Sequence, residues 1–270
     1  MRLRLVLVLA VLSLAGCGGS SQGSVFNDGG MLTADWLVVD LSTGAAEPRH
    51  RLDPADPALR DRLMAFRRVP AGRFTPGVAG AFIGDGDEKN LAEEAVPEAW
   101  LAVFEVTAAQ WARLTDGAVP ATGGDLPAAI RRSELEAALA QQAGRGRHFA
   151  LPSRLLWEYA ASAGTGQAFA WGDALLEGDA RLHAVFDPQA GSTLVRPTGP
   201  AAVGSRLGNS WGLFDMHGNL WEHVRGDEAE HEIRGGSWAQ PLVQARSSNR
   251  VLLPYDTNHP LVGARLTWSE

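Results

Sequence analysis

Along this chain, apolar residues gather into short runs over the first 160 or so positions and then thin out between glycines. Leu5 to Leu14 is an apolar run behind Arg2 and Arg4. A bilayer-spanning helix needs about 20 residues, so this shorter run behind a positive segment reads as a secretory signal. Asp35-Trp36-Leu37-Val38-Val39-Asp40-Leu41 is a β-type run closed by Ser42-Thr43-Gly44. Proline and aspartate punctuate 53–57, and Ala58 to Met64 is predicted as one or two helical turns. Phe66 to Phe74 reads as strand, turn, strand, and Ala99 to Phe104 as a further strand. Thr107 N-caps a predicted helix that runs to Leu114, and Leu126 to Gln142 is a second, with Leu135 and Leu139 on one face. From Gly164 to the end the pattern predicts glycine-rich loop with short strands, and there are no internal repeats.

Length changes the picture little: 270 residues can hold one large domain or two small ones, and 45 % hydrophobic with 20 % charged residues is ordinary for a globular protein. Charge narrows the partners. A net charge of −7 without a basic stripe argues against nucleic acid. Cysteine usage decides more. Cys17 is the sole cysteine, and Leu14-Ala15-Gly16-Cys17 resembles the bacterial lipobox, in which that cysteine is lipidated and becomes the mature N-terminus. Gly18 follows where aspartate would mark inner-membrane retention, which favours the outer membrane. The expected address is therefore the bacterial cell envelope, with the lipid as the only membrane contact. Gly18 to Gly30 has the composition of a flexible tether. Beyond Cys17 no disulfide or thiol chemistry is available.

The richest stretch is Gly208-Asn209-Ser210-Trp211-Gly212-Leu213-Phe214-Asp215-Met216-His217-Gly218-Asn219-Leu220-Trp221-Glu222, followed by Arg234-Gly235-Gly236-Ser237-Trp238. Indoles beside glycines suggest backbone passing close to rings, and the acids and amides are hard-oxygen donors that suit calcium. Both segments resemble the signature of the sulfatase-modifying-factor, or formylglycine-generating-enzyme-like, domain family. Further motifs follow in the family's order: Glu105-Val106-Thr107 with Gln110-Trp111, Leu151-Pro152-Ser153 running into a helix through Trp157-Glu158-Tyr159, Trp171-Gly172-Asp173, and Gly263-Ala264-Arg265. The resemblance implies an α+β, irregular, loop-rich fold of the formylglycine-generating-enzyme type, distantly related to C-type lectins. It divides the chain into a signal and lipobox (1–17), a tether (18–31), a short extension (32–65) and the domain proper (66–268).

What the resemblance implies for the site is partly a subtraction. The founding enzymes oxidise a sulfatase cysteine with two copper-binding cysteines, and those positions fall on Gln240 and Ala245, neither of which can supply a thiolate. Copper is therefore not expected. The family's calcium loop, carried over, implicates the side chains of Asp215 and Glu222 and the carbonyls of Gly218 and Leu220. Iron remains open through His183, His217, His223, His231 and His259, which share no ligand spacing. Trp157, Trp171, Trp211, Trp221 and Trp238 read as core or as a cleft lining. Arg246, Arg250 and Arg265 read as partners of Glu158, Asp215 or Glu222, or as anion holders. Two functions follow: a non-catalytic module binding an envelope protein or glycan, or an oxidoreductase with a histidine-based metal site.

Overall fold

The computed structural model describes residues 34–77, 88, 91–226 and 231–269. The signal, Cys17, the 18–31 tether and the first two residues of the extension lie outside them. In β1 (Trp36–Asp40), Leu37, Val38 and Val39 are all buried. That continuous apolar run marks a strand covered on both faces. β1 pairs antiparallel with β2 (Ala46–Arg49) and with β3 (Leu63–Val69). Along β3, Met64 and Phe66 join Leu37 and Val39 in one core, while Ala65 joins Val38 on the other side. A ribbon of β4 (Gly72–Phe74) and β5 (Glu94–Val96) precedes β6 (Ala99–Ala102), which pairs with β3.

Four helices follow or interleave: α1 (Ala108–Leu114), α2 (Arg132–Gly144), α3 (Arg154–Ala161) and the short α4 (Glu177–Ala180), with β7 (His148–Ala150) between α2 and α3. Thr107 caps α1 as expected. Its side chain accepts from the Gln110 backbone N–H at 3.1 Å, and Gln110 returns the bond to the Thr107 N–H, a complete capping box. A second sheet holds β8 (Trp221–His223), β9 (His231–Arg234), β10 (Arg250–Leu253) and β11 (Val262–Gly263), with β8 and β11 parallel. The last strand, β12 (Thr267–Ser269), returns to the first sheet, completing the order β2-β1-β3-β6-β12-β7.

Three expectations need correction. The helical turns expected over Ala58 to Met64 shrink to a 3₁₀ turn at Pro57–Arg60, because Leu63 onward is drawn into β3. The helix expected from Leu126 begins only at Arg132. The backbone before it is committed elsewhere: Ala128 N–H donates to Val106, and Ile130 N–H to Val262. The boundary at residue 66 has no counterpart, since β3 runs through it and β1 and β2 belong to the same sheet as β6 and β12.

Candidate functional site

The glycine-rich loop is built by its own side chains. Asn209 Oδ1 accepts from the N–H groups of Trp211 and Leu213 at 3.0 and 3.1 Å, while its amide donates to Ala160 at 2.7 Å. An asparagine that satisfies its own turn in this way fixes the loop's entry onto α3. Gly212, at φ +76°, lies so close to the Trp36 indole that a Cβ would overlap it. Gly218, at φ +87°, lies equally tight against the Val185 carbonyl. Gly212 thus meets an indole as the sequence suggested, but the ring is Trp36 of β1 and not the adjacent Trp211.

Beneath the loop lies a buried cluster of charge. Ser153 caps α3, which carries Trp157 inward so that its indole N–H donates to Glu222 Oε2 at 2.6 Å. Arg265, three residues beyond Val262, donates to Glu222 Oε1 and Oε2 at 2.6 and 2.7 Å, and both side chains are fully buried. The same guanidinium also donates to the Phe214 carbonyl at 2.9 Å and the Ala102 carbonyl at 3.2 Å. Glu105 accepts from the Asn219 amide at 2.6 Å and from the Leu220 N–H at 2.9 Å. Asp215, in a left-handed conformation at φ +56°, accepts from Gly204 N–H at 2.6 Å through Oδ2, while its buried Oδ1 has no partner.

Three buried carboxylates thus lie in the field of the Arg265 guanidinium, and Glu222 is bonded to it. Burial, reinforced by the charges of Asp215 and Glu222, pushes Glu105 well above the usual carboxylate range. Burial likewise raises Asp215 to about 6, against the pull of Gly204 and Arg265.

This arrangement surrounds the calcium ligands expected at Asp215, Gly218, Leu220 and Glu222. Both oxygens of Glu222 are held by Arg265 and Trp157, and a divalent ion there would meet the guanidinium. Among the described residues no three His, Cys, Asp or Glu side chains converge as a metal cluster. Glu222 is thus committed to Arg265 and Trp157, whereas the buried Asp215 Oδ1 is without a partner.

Gln240 and Ala245, the positions expected to correspond to the family's catalytic cysteines, are held by partners of their own. Gln240 Oε1 accepts from the Trp221 indole N–H at 2.5 Å, beside a small crevice of about 80 Å³ lined by Ile233, Val251, Leu253 and His259. Ala245 is buried in another cluster with Ala168, Phe169 and Leu242. Its carbonyl accepts from His217 Nδ1 at 2.7 Å, while His217 Nε2 accepts from the Ala170 N–H at 3.1 Å. That pair of bonds requires the neutral tautomer with its proton on Nδ1, and burial pushes His217 down to about 4.

The five histidines divide. His183 stacks on Trp171, which meets His217 edge-on. His223 and His231 lie together at a centroid distance of 5.2 Å, and His259 contacts neither group but lines the Gln240 crevice. The arginines are largely structural. Arg246 pairs with Glu88 at 2.5 Å and Arg234 with Glu158 at 2.9 Å. Glu158 is nonetheless pushed up by burial. Arg250 borders a cavity of about 120 Å³ beside Arg234 and Glu158. Trp157 and Trp221 are core, whereas Trp171, Trp211 and Trp238 are half-buried. Sequence reasoning missed Glu105 and Glu88 as buried partners. Glu105 stood in a quoted motif, but nothing local showed that Asn219 and Leu220 would return to it.

A family-wide profile described as the sulfatase-modifying factor enzyme 1-like domain matches residues 133–270. The chain belongs to that family. A formylglycine-generating enzyme of Mycobacterium tuberculosis is 36 % identical over 88 residues, and that match spans 32 % of this chain and 28 % of the enzyme's own length. Among solved structures, PvdO from Pseudomonas aeruginosa superposes with a TM-score of 0.63 at 20 % identity, over 76 % of this chain and 94 % of that one. Treponema denticola variable protein 1 gives 0.62 at 17 % identity, over 77 % and 96 %. CarF gives 0.58 at 18 % identity, over 75 % and 97 %. These likenesses establish the formylglycine-generating-enzyme fold, a mixed α/β architecture dominated by sheet.

Proposed function

We propose that this protein is a lipid-anchored module of the bacterial cell envelope, without catalysis, that binds an envelope protein or glycan. One observation carries the reading: the two positions that hold thiolates in the founding enzymes are Gln240 and Ala245, one bonded to Trp221 and the other locked to His217. A soft Cu(I) ion has no thiolate ligand beyond Cys17, and the histidines that could replace thiolates are dispersed. The anchor and the address rest on Leu14-Ala15-Gly16-Cys17 and on the apolar run before it.

Metal analysis of the purified protein, with mass spectrometry of a sulfatase-type cysteine peptide incubated with it under oxygen and copper, tests the reading. The expected result is neither stoichiometric copper or iron nor aldehyde formation. Either one overturns it.

A further inference from the structure

Away from the buried cluster, the surface between α4 and the glycine-rich loop has an unusual composition. Two arginine–aliphatic pairs, Arg181-Leu182 and Val195-Arg196, and a third arginine, Arg206, come from separate stretches of sequence and meet around one cleft of about 550 Å³. The Leu207 N–H donates to the Leu182 carbonyl at 2.8 Å, which holds Arg206 beside the first pair. The floor is apolar, with Val185 and Phe186 buried and Leu194 packed beside them.

Two features suit this cleft to a ligand. Its aliphatic rim is exposed: Val195 is 93 % accessible and Leu182 48 %. Clustered exposed aliphatics on a soluble surface mark contact sites. Its charge is one-sided, with three guanidinium groups and no carboxylate in the lining, on a chain of net charge −7. Arg196 is partly neutralised by Asp187 at 3.2 Å. Arg181 donates only through Nε, to Gly178, and Arg206 makes no hydrogen bond or ion pair among the described residues.

We propose that this cleft docks an acidic, extended peptide segment of a partner protein. An extended chain presents alternate side chains to opposite sides. Carboxylates can then reach the arginines while apolar side chains settle between Leu182, Val195 and the floor. A flat anionic membrane cannot follow a concave surface of this kind. The proposal rests on the binding-module reading and names the chemistry of its partner.

Fluorescence polarisation of the full protein tests it, with a labelled short peptide of alternating glutamate and leucine, its glutamine–leucine twin, and phosphatidylglycerol vesicles. The glutamate peptide should bind about tenfold or more tighter than its twin, and binding should weaken as salt rises. Arg181→Glu with Arg206→Glu should reduce affinity about tenfold or more, as should Val195→Asp, with melting temperatures unchanged. Arg145→Glu, outside the cleft, should bind as wild type. Equal affinity for the twin, undiminished binding by the doubly reversed variant, or binding to vesicles in place of peptide overturns the proposal. Aldehyde formation in the earlier assay would sink the non-catalytic reading without touching this cleft, and failure here leaves that reading standing.

Discussion

Arg265→Leu removes the cation that both Glu222 oxygens are bonded to in the buried cluster. The guanidinium donates to both Glu222 oxygens at 2.6 and 2.7 Å and to the Phe214 carbonyl at 2.9 Å, from a site with no solvent exposure. Deleting one member of a buried ion pair leaves the other charge uncompensated, at a cost of about 3–5 kcal/mol. A domain of this size shifts by about 2–4 °C per kcal/mol, so the melting temperature should fall by about 6–20 °C. Thermal unfolding followed by circular dichroism measures this. The wild type should melt identically in calcium and in chelator, because the Glu222 oxygens are already bonded. A loss under about 1 kcal/mol, the range of an exposed pair, would refute the reasoning. So would a calcium-dependent melt of the wild type.

Two further outcomes follow from the same geometry. Asp215, raised to about 6, burdens the native state as pH climbs from 3.8, so Asp215→Asn should gain up to about 3 kcal/mol at pH 8 and lose that gain near pH 4, measured by denaturant unfolding at the two pH values. His217, held neutral with its value lowered to about 4, contributes stability that is complete above pH 6.5 and declines below it; His217→Gln should therefore flatten the stability–pH curve between 6.5 and 4 by about 3 kcal/mol, whatever its absolute stability.

The sequence by itself determined the family, the order of most elements and the absence of a thiol pair. Those features are local or compositional. Leu37-Val38-Val39 is a strand because three consecutive apolar residues require two covered faces, and Thr107 with Gln110 closes its cap within four residues. Asn209 sets its turn with its side-chain oxygen, and Gly212 and Gly218 set theirs with left-handed backbone. Tertiary structure alone decided what the carboxylates do. Whether Glu222 holds an ion or an arginine depends on Arg265, 43 residues away, and Glu105 meets Asn219 across 114. Pairings at such separations leave no periodic trace. The same holds for the cleft, whose arginines and aliphatic residues stand far apart in sequence until the loops bring them around one floor. Hard-oxygen residues in a glycine-bent loop are compatible with calcium or with a guanidinium, and only the partner across the fold chooses between them.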